Sequence, residues 1–180
     1  MGMYTGLRFK GTIKEEYRKD IKKMLIDGGN WNNCRDEELK KFDDISRSSL
    51  IPFGGLDYTP DCWETDDDKD ADGFERYFND ETGLLCFQCS LKNYERTIEY
   101  FIYNIMPIIC DELIHCEKLY EEDEVSTLYK LNDGLIVELD CGIKYGLDNM
   151  NDLWCMYKNE PEDGNIMYDD FDFSGENKYR

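Results

Sequence analysis

The sequence predicts an α+β fold in which two helices cover one face of an antiparallel sheet. Three observations predict it. Short stretches of period-two alternation are separated by two stretches of 3.6-residue periodicity. The connections carry hairpin chemistry, Asn79-Asp80-Glu81-Thr82-Gly83 and Asn132-Asp133-Gly134. A chain of 180 residues with 14% aromatic side chains can bury a core without disulfides and is not composed like a disordered one.

Taken in order, residues 4–13 alternate, with Leu7, Phe9 and Ile13 on one face, which predicts a half-buried strand. Residues 14–26 put Tyr17, Ile21, Met24 and Leu25 at helical spacing, and Asp27-Gly28-Gly29 ends that helix. Residues 30–73 read as an insertion. It holds a short helix over 36–45 with Leu39, Phe42 and Ile45 inward, a buried loop over 50–56, and a charged loop over 61–73. Residues 74–78 and 84–91 form a strand pair, with Leu85, Phe87, Cys89 and Leu91 on one face. Asn93 is the expected cap of a second helix whose stripe is Tyr94, Ile98, Phe101, Ile102, Ile105, Ile108 and Ile109. Pro107 should kink that helix or mark its boundary. Residues 114–120 follow as a strand, and 127–131 with 135–139 as a hairpin. This β-α-β-β-α-β order is that of a ferredoxin-like domain. The predicted organisation is one ferredoxin-like domain over residues 1–145, including the insertion, followed by an acidic C-terminal extension over 146–180 that contains Trp154, Tyr157, Tyr168, Phe171 and Phe173.

Several features bear on kinship: the strand over residues 4–13, the insertion with Ile51-Pro52-Phe53 and Trp63, and the block over 78–134. In that block Gly83-Leu84-Leu85-Cys86-Phe87-Gln88-Cys89 precedes the second helix, and Leu119-Tyr120-Glu121-Glu122 precedes Tyr129. On these the chain resembles the YubB-type ferredoxin-like proteins carried by phages and plasmids, over roughly two-thirds of its length. The resemblance implies the fold and a mobile-element origin, and brings no catalytic residues. A single alanine, Ala71, among abundant Asn, Ile, Lys, Tyr and Asp suits an A/T-rich coding genome.

Charge carries the functional reading. There are 41 Asp and Glu against 21 Lys and Arg, a formal net charge of −20. Phosphate binding needs clustered positive charge, so a generic nucleic-acid binder is excluded and an anionic membrane surface is disfavoured. The most apolar run, around residues 101–110, is broken by Asn104 and Pro107 and is too short for a membrane span. No export signal is read at the start of the chain, so a cytoplasmic location in a host cell is expected, with eight reduced cysteines.

The acids fall in three clusters, over residues 60–82, 111–124 and 160–176, while residues 1–47 are net +2. Acidic surfaces keep proteins soluble. Carboxylates can also imitate a row of phosphates and occupy the basic groove of a nucleic-acid-handling protein, with aromatic side chains as anchors. The residues expected to do so are Asp66, Asp67 and Asp68; Glu121, Glu122, Asp123 and Glu124; and Tyr168, Asp169, Asp170, Phe171 and Asp172.

Other motifs point to less. Asp68-Lys69-Asp70-Ala71-Asp72-Gly73 fits the first half of a calcium loop, with Asp68, Asp70 and Asp72 as ligands, but Asn79 stands where the bidentate Glu belongs. Cys86-Phe87-Gln88-Cys89 has CxxC spacing, yet on a strand those two side chains point to opposite faces, so core packing is the expected role. The single histidine, His115, has no companion from which to build a triad. Lys14, Arg18, Lys19, Lys22 and Lys23 on the first helix could hold a small anion.

The expectation is therefore a non-enzymatic inhibitor from a phage or mobile element. It would act on a basic nucleic-acid-binding host protein, with bacterial defence nucleases, CRISPR effectors among them, as the favoured class. It would contact neither nucleic acid nor membrane directly and would be a monomer or small homo-oligomer, with no cofactor beyond possible calcium. The alternatives are a module that sequesters a small anionic signal nucleotide, or an immunity protein against a basic toxin nuclease.

Overall fold

A computed structural model describes residues 3–60, 63 and 74–145, and the backbone of 153–157. Alternation in β1 (Tyr4–Ile13) places Leu7, Phe9 and Ile13 on the face that meets the helices. β1 lies at the centre of one antiparallel sheet. On one side it pairs with β3 (Leu84–Lys92), with Phe9 opposite Phe87, and on the other with β4 (Cys110–Tyr120), with Phe9 opposite Cys116. β2 (Tyr77–Phe78) borders β3, and β5 (Thr127–Asn132) and β6 (Leu135–Glu138) extend the sheet beyond β4, for the order β2-β3-β1-β4-β5-β6. Asp133 and Gly134 both have positive φ, 49° and 76°, which is the two-residue turn that matches strand twist.

α1 (Glu15–Ile26) and the second helix pack on this face. The second helix is α3 (Thr97–Tyr100), a π-helical turn (Phe101–Ile105) and α4 (Met106–Ile109) in continuous succession. Ile98, Phe101, Ile102 and Ile105 are all buried, as the stripe predicts. The first half of the insertion joins the same core. α2 (Glu37–Asp43), capped by the Asp36 carboxylate on the Glu38 and Leu39 amides, buries Leu39 and Phe42. The Trp31 ring meets Phe42 edge-on at 5.2 Å and donates its indole N–H to the carbonyls of Ser48 and Ile51.

Four details of the sequence reading are corrected. Tyr94 is exposed and precedes the helix, because the chain turns through Arg96 in a left-handed conformation before Thr97. Asn93 does accept from the Ile98 amide, at 3.0 Å, but from outside that turn. The strand read over 74–78 shrinks to two residues, since Phe74 packs on the sheet face against Arg8 and His115 of β1 and β4 instead of pairing along β3. The strand read over 114–120 begins at Cys110, directly after Pro107 and the last helical turn.

The opposite face of the sheet is covered as well. After Ile51 the insertion passes the β3 edge and runs across this face, with Ser90 Oγ donating to the Asp57 carbonyl and Gln88 Nε2 to the Trp63 carbonyl. Gly6 leaves room for the Trp63 ring: a Cβ there would lie 2.7 Å from it. β7 (Cys141–Tyr145) packs beside β5 and pairs with β8 (Leu153–Tyr157), so strand pairing runs across the 145/146 boundary of the sequence reading. Among the described residues no helix is long and apolar enough to cross a membrane.

Candidate functional site

Of the residues expected to meet a partner, Glu121, Glu122, Asp123 and Glu124 are described. They form the connection that leaves β4 after Tyr120. The backbone there is fixed: the Glu121 amide donates to the Tyr4 carbonyl at 3.1 Å and the Asp123 amide to the Tyr120 carbonyl at 2.9 Å. Glu122, Asp123 and Glu124 are exposed, and Glu124 is paired with Lys144 at 3.0 Å. Three tyrosines stand alongside. Tyr4 stacks on Tyr58 with 5.0 Å between centroids, Tyr58 is 70% exposed, and the Tyr120 hydroxyl reaches the Glu122 carboxylate. Partial desolvation, together with Glu122, Glu121 and Asp123, pushes the Tyr120 phenol up. The aromatic anchors of the sequence reading, Tyr168 and Phe171, lie outside the described residues; among the described residues the rings near 121–124 belong to β1, the insertion and β4.

Asp66, Asp67 and Asp68, with Tyr168, Asp169, Asp170, Phe171 and Asp172, lie outside the described residues, and so do the calcium candidates Asp68, Asp70 and Asp72. Among the described residues no three His, Cys, Asp or Glu side chains converge as metal ligands would.

Arg8 of β1, on the strand face that alternation assigns to solvent, belongs to a buried polar layer under the insertion. Arg8 is 2% exposed and Glu117, opposite it on β4, is fully buried. The Arg8 guanidinium lies 4.4 Å from the Trp63 ring centroid and 4.6 Å from that of Phe74, and its Nε donates to Gln88 Oε1 at 3.0 Å. Trp63 and Phe74 flank the acidic segment 64–73 in sequence, so one arginine meets the residues on both sides of it. Glu117 accepts from the Tyr145 hydroxyl at 2.6 Å and meets His115 Nε2 at 3.1 Å, while the His115 ring packs edge-on against Phe74. Burial pushes the Glu117 carboxyl up, but His115, Arg8 and the Tyr145 hydroxyl outweigh it and hold the carboxyl below its ordinary range. Burial and the Glu117 charge drive the Tyr145 phenol well up. This layer has the residue types of an active site, but its polar groups bind one another under a lid of aromatic rings. It holds Trp63 and Phe74 against the sheet.

Sequence reasoning missed Arg8, Glu117 and Tyr145 and set His115 aside. Two signals were present: charged side chains at alternate positions of the central strand, and Trp63 in an otherwise charged loop, which had to bury its ring somewhere.

The basic face of α1 is largely spent on the fold. Lys14 Nζ donates to the carbonyls of Pro107 and Ile108 at the C-terminus of α4, where a cation is favoured. Arg18 binds the carbonyls of Ile13, Glu81 and Thr82 and so clamps the β2–β3 hairpin, and Lys22 pairs with Asp80. Lys19 and Lys23 are the exposed remainder. Cys86 and Cys89 lie on opposite faces of β3, Cys86 opposite Lys10 and Cys89 opposite Leu7, so they cannot share a metal. Burial raises both thiols, that of Cys86 to about 11, which leaves them inert.

No family model matches the chain, and neither the curated proteins nor the solved structures gave a match.

Proposed function

We propose that this chain is a non-enzymatic inhibitor from a phage or mobile element. Its ferredoxin-like core would present carboxylates to the basic groove of a nucleic-acid-handling host protein, a bacterial defence nuclease being the favoured class. The observation that carries the reading is the loop over residues 121–124. It has four consecutive acids, a backbone held by the Tyr4 and Tyr120 carbonyls, and exposed tyrosine surface beside it. A fixed row of carboxylates loses little entropy on binding, and Tyr58 offers the kind of aromatic anchor that carries affinity. The net charge of −20 would accelerate encounter with a cationic partner. An immunity protein against a toxin nuclease would use the same surface. Sequestration of a signal nucleotide is less well supported, because Lys14, Arg18 and Lys22 are engaged within the fold.

The test uses immobilised chain and the basic, nucleic-acid-binding proteins of a bacterial host. Retention should be competed by duplex DNA, and the association rate should fall at least about tenfold from low salt to 0.5 M salt. Reversing residues 121–124 to Lys should abolish retention, while K19E with K23E leaves it intact. The opposite ranking would favour nucleotide sequestration. Retention indifferent to both sets, or none at all, overturns the proposal.

A further inference from the structure

The sheet has two ends. At one, β2 is only two residues long. At the other, β6 presents Leu-Ile-Val-Glu with neither lysine nor proline, the residues with which proteins usually guard an exposed edge. Leu135 is 71% exposed and Val137 42%, and both lie on the same face of β6. Among the described residues no strand lies beyond it.

The hairpin fixes what β6 offers. The turn at Asp133 and Gly134 makes Asn132 and Leu135 the first hydrogen-bonded pair, and Lys130 with Val137 the next. The Leu139 amide, which donates to the Leu128 carbonyl at 2.9 Å, continues the alternation. The N–H and C=O of Ile136 therefore point away from β5, out of the sheet edge.

We propose that β6 pairs antiparallel with β6 of a second copy of this chain, with Ile136 on the two-fold axis. That register makes Ile136 and the partner's Ile136 a hydrogen-bonded pair. It sets Leu135 against the partner's Val137, and Val137 against the partner's Leu135, in the non-hydrogen-bonded positions where side chains approach closest. Across the joined sheet one row reads Lys130, Val137, the partner's Leu135, the partner's Asn132, so no like charges face each other. Glu138 falls opposite the partner's Gly134. The two Glu138 side chains are then four residues apart, about 14 Å, beyond the screening length of about 8 Å at physiological salt. A Tyr103 hydrogen bond also holds the Glu138 carboxylate on the helix face. Shifting the register by two residues would set Ile136 against Glu138 or Val137 against Asp133. All these registers are isologous, but only the one centred on Ile136 sets apolar side chains against apolar ones without a charge opposite them.

Each copy carries −20, so charge opposes this pairing and added salt should strengthen it. That is the reverse of the salt response expected for a cationic partner, so the two ideas can fail separately. Sedimentation equilibrium of the whole chain from micromolar to millimolar should show a mass rising from 21.3 kDa toward twice that value, more steeply at 0.5 M salt than at low salt. Leu135→Lys and Val137→Glu, both at exposed positions, should each weaken association about tenfold with unchanged circular dichroism. Mixing the two variants should restore it to within about threefold of the unmodified chain, because one Lys–Glu pair and one apolar pair then form. A chain of 21.3 kDa under all these conditions overturns the proposal. So does association that neither variant weakens, or a mixture that is no better than its components.

Discussion

The two faces of the central sheet are built from the same strands and are held by different physics. On the helix side, Phe9, Phe87 and Phe101 form an aromatic triad with centroid separations of 5.3–6.1 Å, and Trp31 and Phe42 pack on it. On the other side, Arg8, Gln88, His115, Glu117 and Tyr145 satisfy one another beneath Trp63 and Phe74. The apolar face tolerates imprecise geometry, because burial is rewarded wherever it occurs. The polar face requires every member, because a buried carboxylate without partners is strongly destabilising. What it gains is specificity: only one arrangement of the insertion brings Trp63 and Phe74 onto the Arg8 guanidinium.

The largest expected effect comes from breaking the polar layer at its centre. Glu117→Ala leaves Arg8 buried without its carboxylate and should cost about 3–5 kcal/mol in urea unfolding, as much as Phe101→Ala on the other face. The two faces then separate by pH. The folded carboxyl of Glu117 lies below its unfolded value, so its contribution is present above about pH 4.5 and is lost as pH falls through the folded value. The difference between wild type and Glu117→Ala should therefore shrink in acid, while that for Phe101→Ala stays constant. A pH-independent Glu117 effect would mean the layer holds by packing alone.

Next in size is the coupling of Arg8 to Glu117. In a double-mutant cycle of Arg8→Met and Glu117→Leu, the double variant should be more stable than the sum of the singles by about 1–3 kcal/mol. Additivity would show that the two residues do not act as a unit. Tyr145→Phe, which removes one donor from Glu117, should cost about 1–3 kcal/mol and raise the carboxyl's titration midpoint, measurable by carbon NMR of the side chain. The smallest effect belongs to the solvent side of α1. Lys22→Ala, which breaks the exposed pair with Asp80, should leave the melting temperature unchanged.

The helix-face core was legible because periodicity reports it directly. Leu7, Phe9, Leu85, Phe87, Ile98 and Ile102 were placed by spacing alone, and the 132–134 turn by its residue types. The polar face was hidden by the same rule. Alternation shows that Arg8 and Lys10 lie opposite Phe9, but not that the far side is covered. The acids over 121–124 were legible as charge; the Tyr4–Tyr58 stack beside them was not, because its rings come from positions more than 50 residues apart in sequence.

The sequence by itself determined which residues face the helices, where hairpins turn and how acidic the surface is, since each depends on neighbours a few positions away. Only the tertiary structure decided that the insertion divides between two faces, that the α1 cations cap carbonyls, and that Arg8 and Glu117 are partners beneath aromatic rings. The reason is that a charged side chain carries no local mark of its burial. Whether it meets water or an opposite charge depends on which distant segment crosses above it.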